Sequence, residues 1–202
     1  MRLNQFVKSC YEVLPSLSGY QQPWEITAAA NEIIRQIVGR LPADEYEIAN
    51  GCAIHKTAKL ENDVRIKDNV IIERNCFVAA GAYLRGGVYL AEDVVVGAGC
   101  EIKSSFIFMK SRIAHFNFVG DSIIGNDVNF EAGSVTANYF NEKEKDIELL
   151  IDGEIVKTGV KKFGALVGDG CRIGANAVLE PGSALIPGKV VGRLQHYDQF
   201  KR

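Results

Sequence analysis

The sequence predicts an all-β solenoid, a parallel β-helix of six-residue rungs, and three superimposed patterns predict it. From Ile48 an aliphatic residue recurs at every sixth position: Ile54, Leu60, Ile66, Ile72, Val78, Leu84, Leu90 and Val96. Four places after each stands a small side chain, from Cys52 and Ala58 to Val94 and Cys100. Three places after each stands a residue that mostly accepts turn geometry, such as Gly51, Asp63, Asn69, Gly81 or Asp93. A helix gives a period of 3.6 and an ordinary strand a period of 2. A rung made of one short strand and one corner gives six, and three rungs close a triangular coil. Each coil then advances by one strand spacing, about 4.8 Å.

Along the chain, residues 1–47 read as a helical N-terminal cap. Pro23 can open a helix, and Ile26, Ala29, Ile33, Ile37 and Leu41 form one apolar face that ends near Gly39 and Pro42. A shorter helix is expected within Leu3 to Leu14. An open solenoid end exposes strand edges and core, so this segment is expected to close that end. Trp24, the only tryptophan, reads as a packing residue. Residues 48–192 read as the β-helix. Its period slips from six to five between Ile102 and Ile107 and again between Val119 and Ile124, at the same corner, so the stacking continues. The pattern stops after Thr136 and resumes at Val167, Ile173, Leu179, Leu185 and Val191. The interruption reads as an inserted hairpin loop at 138–163, with its turn at Asp152-Gly153. Such an ejected loop carries function more often than structure. Residues 193–202 read as a short tail.

Composition bounds the function. The 202 residues are 47% hydrophobic, enough for one core, and a formal charge of −2 gives no global field for nucleic acid. No apolar run approaches the roughly 18 residues of a membrane span, and no signal-peptide pattern opens the chain. A soluble, cytoplasmic protein without nucleic-acid or membrane partners is expected. Cys52, Cys76, Cys100 and Cys171 occupy the small inward position and are expected to be buried thiols.

Two outward features remain. One edge of the coil stacks Ala49, Lys67, Arg85 and Lys103. Like charges one strand apart repel unless they are solvated or an anion lies against them, and the ladder alone leaves both readings open. The three histidines, His55, His115 and His196, are too far apart in sequence for a three-imidazole zinc site, so no metal is expected. His115 is a candidate general base or a structural histidine.

The run RIAHFNFVGDSIIGNDVNFEAGSVTANY, residues 112–139, contains H-x-x-x-x-G-D, I-G-x-x-V-N, A-G-[ST] and N-Y elements in order. It resembles the acetyltransferase domain of the bifunctional N-acetylglucosamine-1-phosphate uridylyltransferases. KKFGALVGDGCRIGANAVLEPGSALIPG, residues 161–188, resembles the archaeal sugar-1-phosphate nucleotidylyltransferases that carry a fused amino-sugar acetyltransferase. The resemblance covers about residues 48–192. It implies the left-handed β-helix of hexapeptide-repeat acetyltransferases, which periodicity does not determine, and a homotrimer.

Carried over by position, the resemblance implies His115 as general base and Asn138, with the backbone of Tyr139, at the acetyl group. It implies substrate contacts from Arg85, Lys103, Phe118, Asn129 and Lys162, the last reaching a neighbouring subunit's site. It implies acetyl-CoA as co-substrate, held along Ala132, Tyr139, Ala175 and Arg193. The expected reaction is N-acetylation of an amino-sugar phosphate such as glucosamine-1-phosphate or galactosamine-1-phosphate. Phe118 stands where that family has a tyrosine, which removes one hydrogen bond to substrate. No Gly-rich L-x-A-G-x-G segment is present, so this chain alone is not expected to transfer nucleotides. Two alternatives stay open: acetylation of a nucleotide-linked amino sugar or other amine or hydroxyl, and a non-catalytic trimeric partner of a separate sugar nucleotidyltransferase.

Overall fold

The computed structural model describes residues 2–201, so Met1 of the expected helical segment and Arg202 of the expected tail lie outside the described residues. Short parallel strands stack into a solenoid with three faces, as the six-residue period requires. Face 1 begins with Cys52–His55 and Val70–Ile72 and ends with Ile123–Ile124, Ala165–Val167 and Ser183–Leu185. Face 2 runs from Lys59–Leu60 through Arg112–Ile113 and Asn129–Phe130 to Val190–Val191. Face 3 starts at Arg65–Ile66 and includes Phe118–Gly120, Val135–Thr136 and Val178–Leu179. The long strands Tyr83–Leu90 and Glu101–Ile107 turn the corner from face 3 to face 1.

The periodic aliphatics form the core: Ile72, Val78, Leu84, Leu90, Val96 and Ile102 are fully buried. Cys52, Cys76, Cys100 and Cys171 are buried free thiols beside them, as their spacing predicts. Burial pushes the Cys76 thiol up to about 12, so it is inert as a nucleophile near neutrality. The shortened rungs also fall where the sequence puts them. Arg85 pairs with Lys103 but Val88 with Ser105, a one-residue register change at the corner between faces 3 and 1. In successive coils that corner is turned by Ser104 and Asp121, at φ 47° and 46°.

Three boundaries differ from the sequence reading. The helical segment does not close the end of the solenoid. Helices α2 (Pro23–Ala28) and α3 (Ala30–Val38) lie along face 1, and the short α1 (Cys10–Val13) joins the same apolar cluster through Cys10. The cause is the outward column of that face, Ala53, Ile71, Tyr89, Phe106, Ile123, Leu166 and Ala184, which is apolar throughout and buried under the helices and the inserted hairpin. An apolar column of this length leaves water only if another segment covers it. Trp24 packs edge-on against Phe163 of the insertion at 6.2 Å, joining the two coverings.

The solenoid also starts later than Ile48. Tyr46–Ala49 runs antiparallel to Cys52–His55 through the turn Asn50-Gly51, both residues at positive φ, so it is a hairpin arm. Ala49 therefore pairs with Cys52 and does not head the basic ladder. At the far end, His196–Tyr197 pairs in register with Val178–Leu179, so the coil continues past 192 into the expected tail. Tyr197 keeps the six-residue spacing from Val191 and packs against the core in place of an aliphatic residue. The expected hairpin is present as Glu148–Ile151 and Glu154–Lys157 around Asp152-Gly153.

Candidate active site

One long edge, between faces 2 and 3, carries His115, Ala132, Ala175 and Arg193 in successive coils. The stacking is fixed by corner hydrogen bonds: Gly133 N–H donates to the His115 carbonyl at 2.8 Å, Asn176 N–H to Ala132 at 2.9 Å and Leu194 N–H to Ala175 at 2.9 Å. At about 4.8 Å per coil, His115 stands roughly 14 Å from Arg193, with only small side chains between them. His115 is exposed, and among the described residues none hydrogen-bonds to its imidazole. Its backbone fits because the coil below has Gly97; a Cβ there would collide with the Ala114 carbonyl oxygen.

Two residues on this edge pay a conformational cost. Phe116 and Leu194 hold the left-handed corner at φ 53° and 58°, where other coils use Gly81, Gly99, Gly133 or Asn176, and their side chains are 73% and 78% exposed. A bulky residue in that region costs on the order of 1–3 kcal/mol. Arg193 ends the column paired bidentately with Glu131, at 2.7 and 2.8 Å. That guanidinium, helped by the Ala175 N–H, holds the Glu131 carboxyl down to about 2.

The opposite edge of face 3 carries Arg85, Lys103 and Asn138. Arg85 and Lys103 are register partners on adjacent coils, as periodicity predicts, but neither cation is free. Arg85 pairs with Glu101 at 2.6 Å and lies over the Tyr83 ring at 5.6 Å. Lys103 Nζ donates to both carboxylate oxygens of Asp121, at 2.9 and 2.6 Å. Asn138 Nδ2 donates to the same carboxylate. Lys67 is exposed, and its ammonium also lies over the Tyr83 ring, at 5.9 Å. Phe118 is half-buried on the face between the two edges, its ring and the Asn138 amide meeting over Gly120. The inserted loop leaves and returns here: Phe163 N–H donates to the Asn138 carbonyl, and Gly164 N–H to that of Asp121. Tyr139 and Lys162, one at each end of that loop, are exposed.

Asn129 stands apart from this cluster. It lies on face 2 between Arg112 and Arg172 and shares a groove of about 510 Å³ with Glu131, Arg172 and Arg193. The residues singled out in the sequence therefore fall into an imidazole column, a basic cluster and a face-2 groove. Within one chain, His115 and Asn138 stand at opposite edges of face 3, with the strand Phe118–Gly120 between them. The carboxylates Glu101, Asp121 and Glu131 were not foreseen. The signal for Asp121 was its place in the G-D element, sixth after His115.

The rungs match known repeats. Residues 69–104 match the family model "Bacterial transferase hexapeptide (six repeats)" and residues 158–182 that of the "Hexapeptide repeat of succinyl-transferase". The chain is a β-solenoid whose six-residue rungs are similar to those of bacterial hexapeptide transferases. More particularly, it resembles the acetyltransferase region of bifunctional sugar-1-phosphate nucleotidylyltransferase/acetyltransferases. It is 36% identical over 191 residues to the protein of that description from Sulfurisphaera tokodaii, covering 89% of this chain and 47% of the relative. It is 36% identical over 173 residues to the bifunctional protein GlmU of Methanococcus maripaludis, covering 84% and 42%. The chain thus spans about half the length of the curated relatives it matches. Among solved structures, a hexapeptide transferase family protein from Anaplasma phagocytophilum is similar with a TM-score of 0.44 and 19% identity, over 70% of each chain.

Proposed function

We propose that this chain transfers the acetyl group of acetyl-CoA to the amine of an amino-sugar phosphate, with His115 as general base. One observation carries this reading: an exposed, unheld imidazole heads a column of small residues that ends at Arg193, and Arg85, Lys103 and Asn138 gather on the other edge of the same face. Face 1 is covered by the chain's own helices and hairpin, so faces 2 and 3 are those left for a second copy. In a homotrimer, the imidazole edge of one subunit meets the basic edge of its neighbour, and Lys162 on the loop reaches across. That arrangement accounts for a site whose two halves are separated within one chain.

The chemistry follows from the amine. An amino sugar arrives as an ammonium ion and attacks only after losing a proton, for which a neutral imidazole is suited near pH 7. The nitrogen then bonds to the thioester carbonyl carbon and the carbon–sulfur bond breaks. The ammonium's first proton, taken by His115, is released to solvent before attack; the second nitrogen proton then passes through the neutral His115 to the departing thiolate, giving amide and free thiol. The oxyanion formed on the way is stabilised by the Tyr139 backbone N–H, a contact worth about 3 kcal/mol in comparable acyl transfers. Arg85 and Lys103 hold the phosphate, each sharing its charge with a carboxylate. The column from Ala132 to Arg193 offers no bulky side chain between the two, and there the coenzyme arm would lie.

Release of free thiol from acetyl-CoA, dependent on glucosamine-1-phosphate or galactosamine-1-phosphate, tests the reading. Turnover only with nucleotide-linked amino sugars or other acceptors replaces the substrate class. No turnover with any acceptor, together with binding to a separate sugar nucleotidyltransferase, replaces the enzyme with a scaffold. Mixing inactive His115→Ala and Lys162→Ala chains should restore activity through hybrid sites; failure to do so removes the shared site.

A further inference from the structure

The residue at the centre of the basic cluster is neither of the cations but the carboxylate between them. We propose that Asp121 is a positioning residue for acetyl transfer: it aims the Lys103 ammonium and dictates which end of the Asn138 amide faces substrate. The inference rests on the functional reading above. Asp121 joins three consecutive coils. Its backbone N–H donates to the Lys103 carbonyl at 2.8 Å, its side chain accepts from Lys103 and Asn138, and its carbonyl accepts from Gly164 at the return of the inserted loop. The side chains of Asp121 and Lys103 are only 11% and 19% exposed, so the pair is shielded from solvent. Its corner conformation, φ 46°, is one that Asp and Asn reach readily and most other side chains do not.

Two consequences follow from this geometry. A carboxylate accepts hydrogen bonds and donates none, so Asn138 must turn its NH₂ toward Asp121, and its Oδ1 is turned away. An acceptor at that position suits the N–H bonds of an ammonium or amine, which aligns the nitrogen for attack. It does not suit the acetyl carbonyl, which needs a donor and is left to the Tyr139 backbone. Lys103, with two hydrogen bonds committed to Asp121, keeps one N–H for an anion and a fixed direction in which to offer it. A neutral side chain at 121 would release both: Asn138 could flip, and Lys103 could swing.

The test is kinetic. Asp121→Asn keeps size and corner conformation, removes the charge and turns one acceptor oxygen into an NH₂ donor. In a chain whose wild type turns over, kcat should fall about 10- to 100-fold, with the KM for acetyl-CoA within about twofold and the melting temperature little changed. Asp121→Glu, which restores the charge, should recover part of that loss. In an Asn138→Ala background the Asp121→Asn effect should shrink, because its target is gone. Should Asp121→Asn fail to fold, the same coupling is read from Lys103→Met combined with Asn138→Ala, whose effects should be less than additive. Wild-type turnover with an indifferent Asp121→Asn, or additive effects throughout, overturns the inference alone. Absence of wild-type turnover with every amino-sugar acceptor removes the functional reading and this inference with it.

Discussion

Faces 1 and 3 are built from the same rung, yet the residue just before the inward one differs in kind. On face 1 it is Ala53, Ile71, Tyr89, Phe106, Ile123, Leu166 and Ala184; on face 3 it is Arg65, Tyr83, Glu101, Phe118, Val135, Val178 and His196. The first column is sealed by the chain's own helices and hairpin, while most of the second is half-exposed or exposed. One face therefore works for the stability of the single chain. The other is left with polar groups, half-satisfied aromatics and the two edges that carry the candidate chemistry. In a solenoid the core is alike on all sides, so function is assigned by which outward column is left uncovered.

The comparison breaks most sharply under substitution of its aromatics. Phe106→Ala, on the sealed column, should cost about 3–5 kcal/mol in denaturant unfolding, the usual price of emptying a fully buried phenylalanine site. Phe118→Ala, on the open face, should cost less than about 1 kcal/mol of chain stability while altering substrate KM. Equal stability losses would show that face 3 is as structural as face 1.

Next in size is His115→Ala. Turnover should fall at least ~100-fold, equivalent to about 2.7 kcal/mol of barrier, with the melting temperature nearly unchanged because the imidazole makes no intrachain hydrogen bond among the described residues. A parallel loss of stability and activity would mark a structural histidine.

Smaller effects sharpen the basic edge. Arg85→Ala and Lys103→Ala should each raise the KM for the phosphorylated sugar by an amount equivalent to about 1.5–3 kcal/mol, with that for acetyl-CoA little altered. Lys67→Ala supplies the control. It lies on the same edge but is exposed, so its contribution is screened by salt and its effect should be much smaller. Similar losses at all three positions would replace the directed clamp with a diffuse field.

The smallest effect concerns Glu131. Its folded pKa, about 2, lies below its ordinary value of 4.5, so the Arg193 pair stabilises the fold above roughly pH 4.5 and that contribution is lost as pH falls toward 2. Arg193→Ala should move the Glu131 titration, followed by NMR, toward the ordinary carboxylate range. An unmoved titration would assign the depression to the Ala175 N–H instead.

Much of this protein is determined by the sequence alone, because a solenoid is a local structure. Each rung pairs with the rung three further on, and the same residue type must return to the same depth. The inward aliphatics, the buried thiols, both shortened rungs, the hairpin at Asp152-Gly153 and the pairing of Arg85 with Lys103 could all be counted from spacing. Spacing also set the apolar outward column of face 1, but it does not say which segment covers it. Only tertiary packing laid α2 and α3 along that face rather than over the end. The same limit applies to charge. Periodicity stacked the cations, whereas the carboxylates that neutralise them come from the next coil off the ladder: Glu101, two places before the partner of Arg85, and Asp121, one place after the partner of Lys103. Such pairs are decided by how side chains reach across a corner, and the distance across face 3 between His115 and Asn138 is decided by the fold's cross-section.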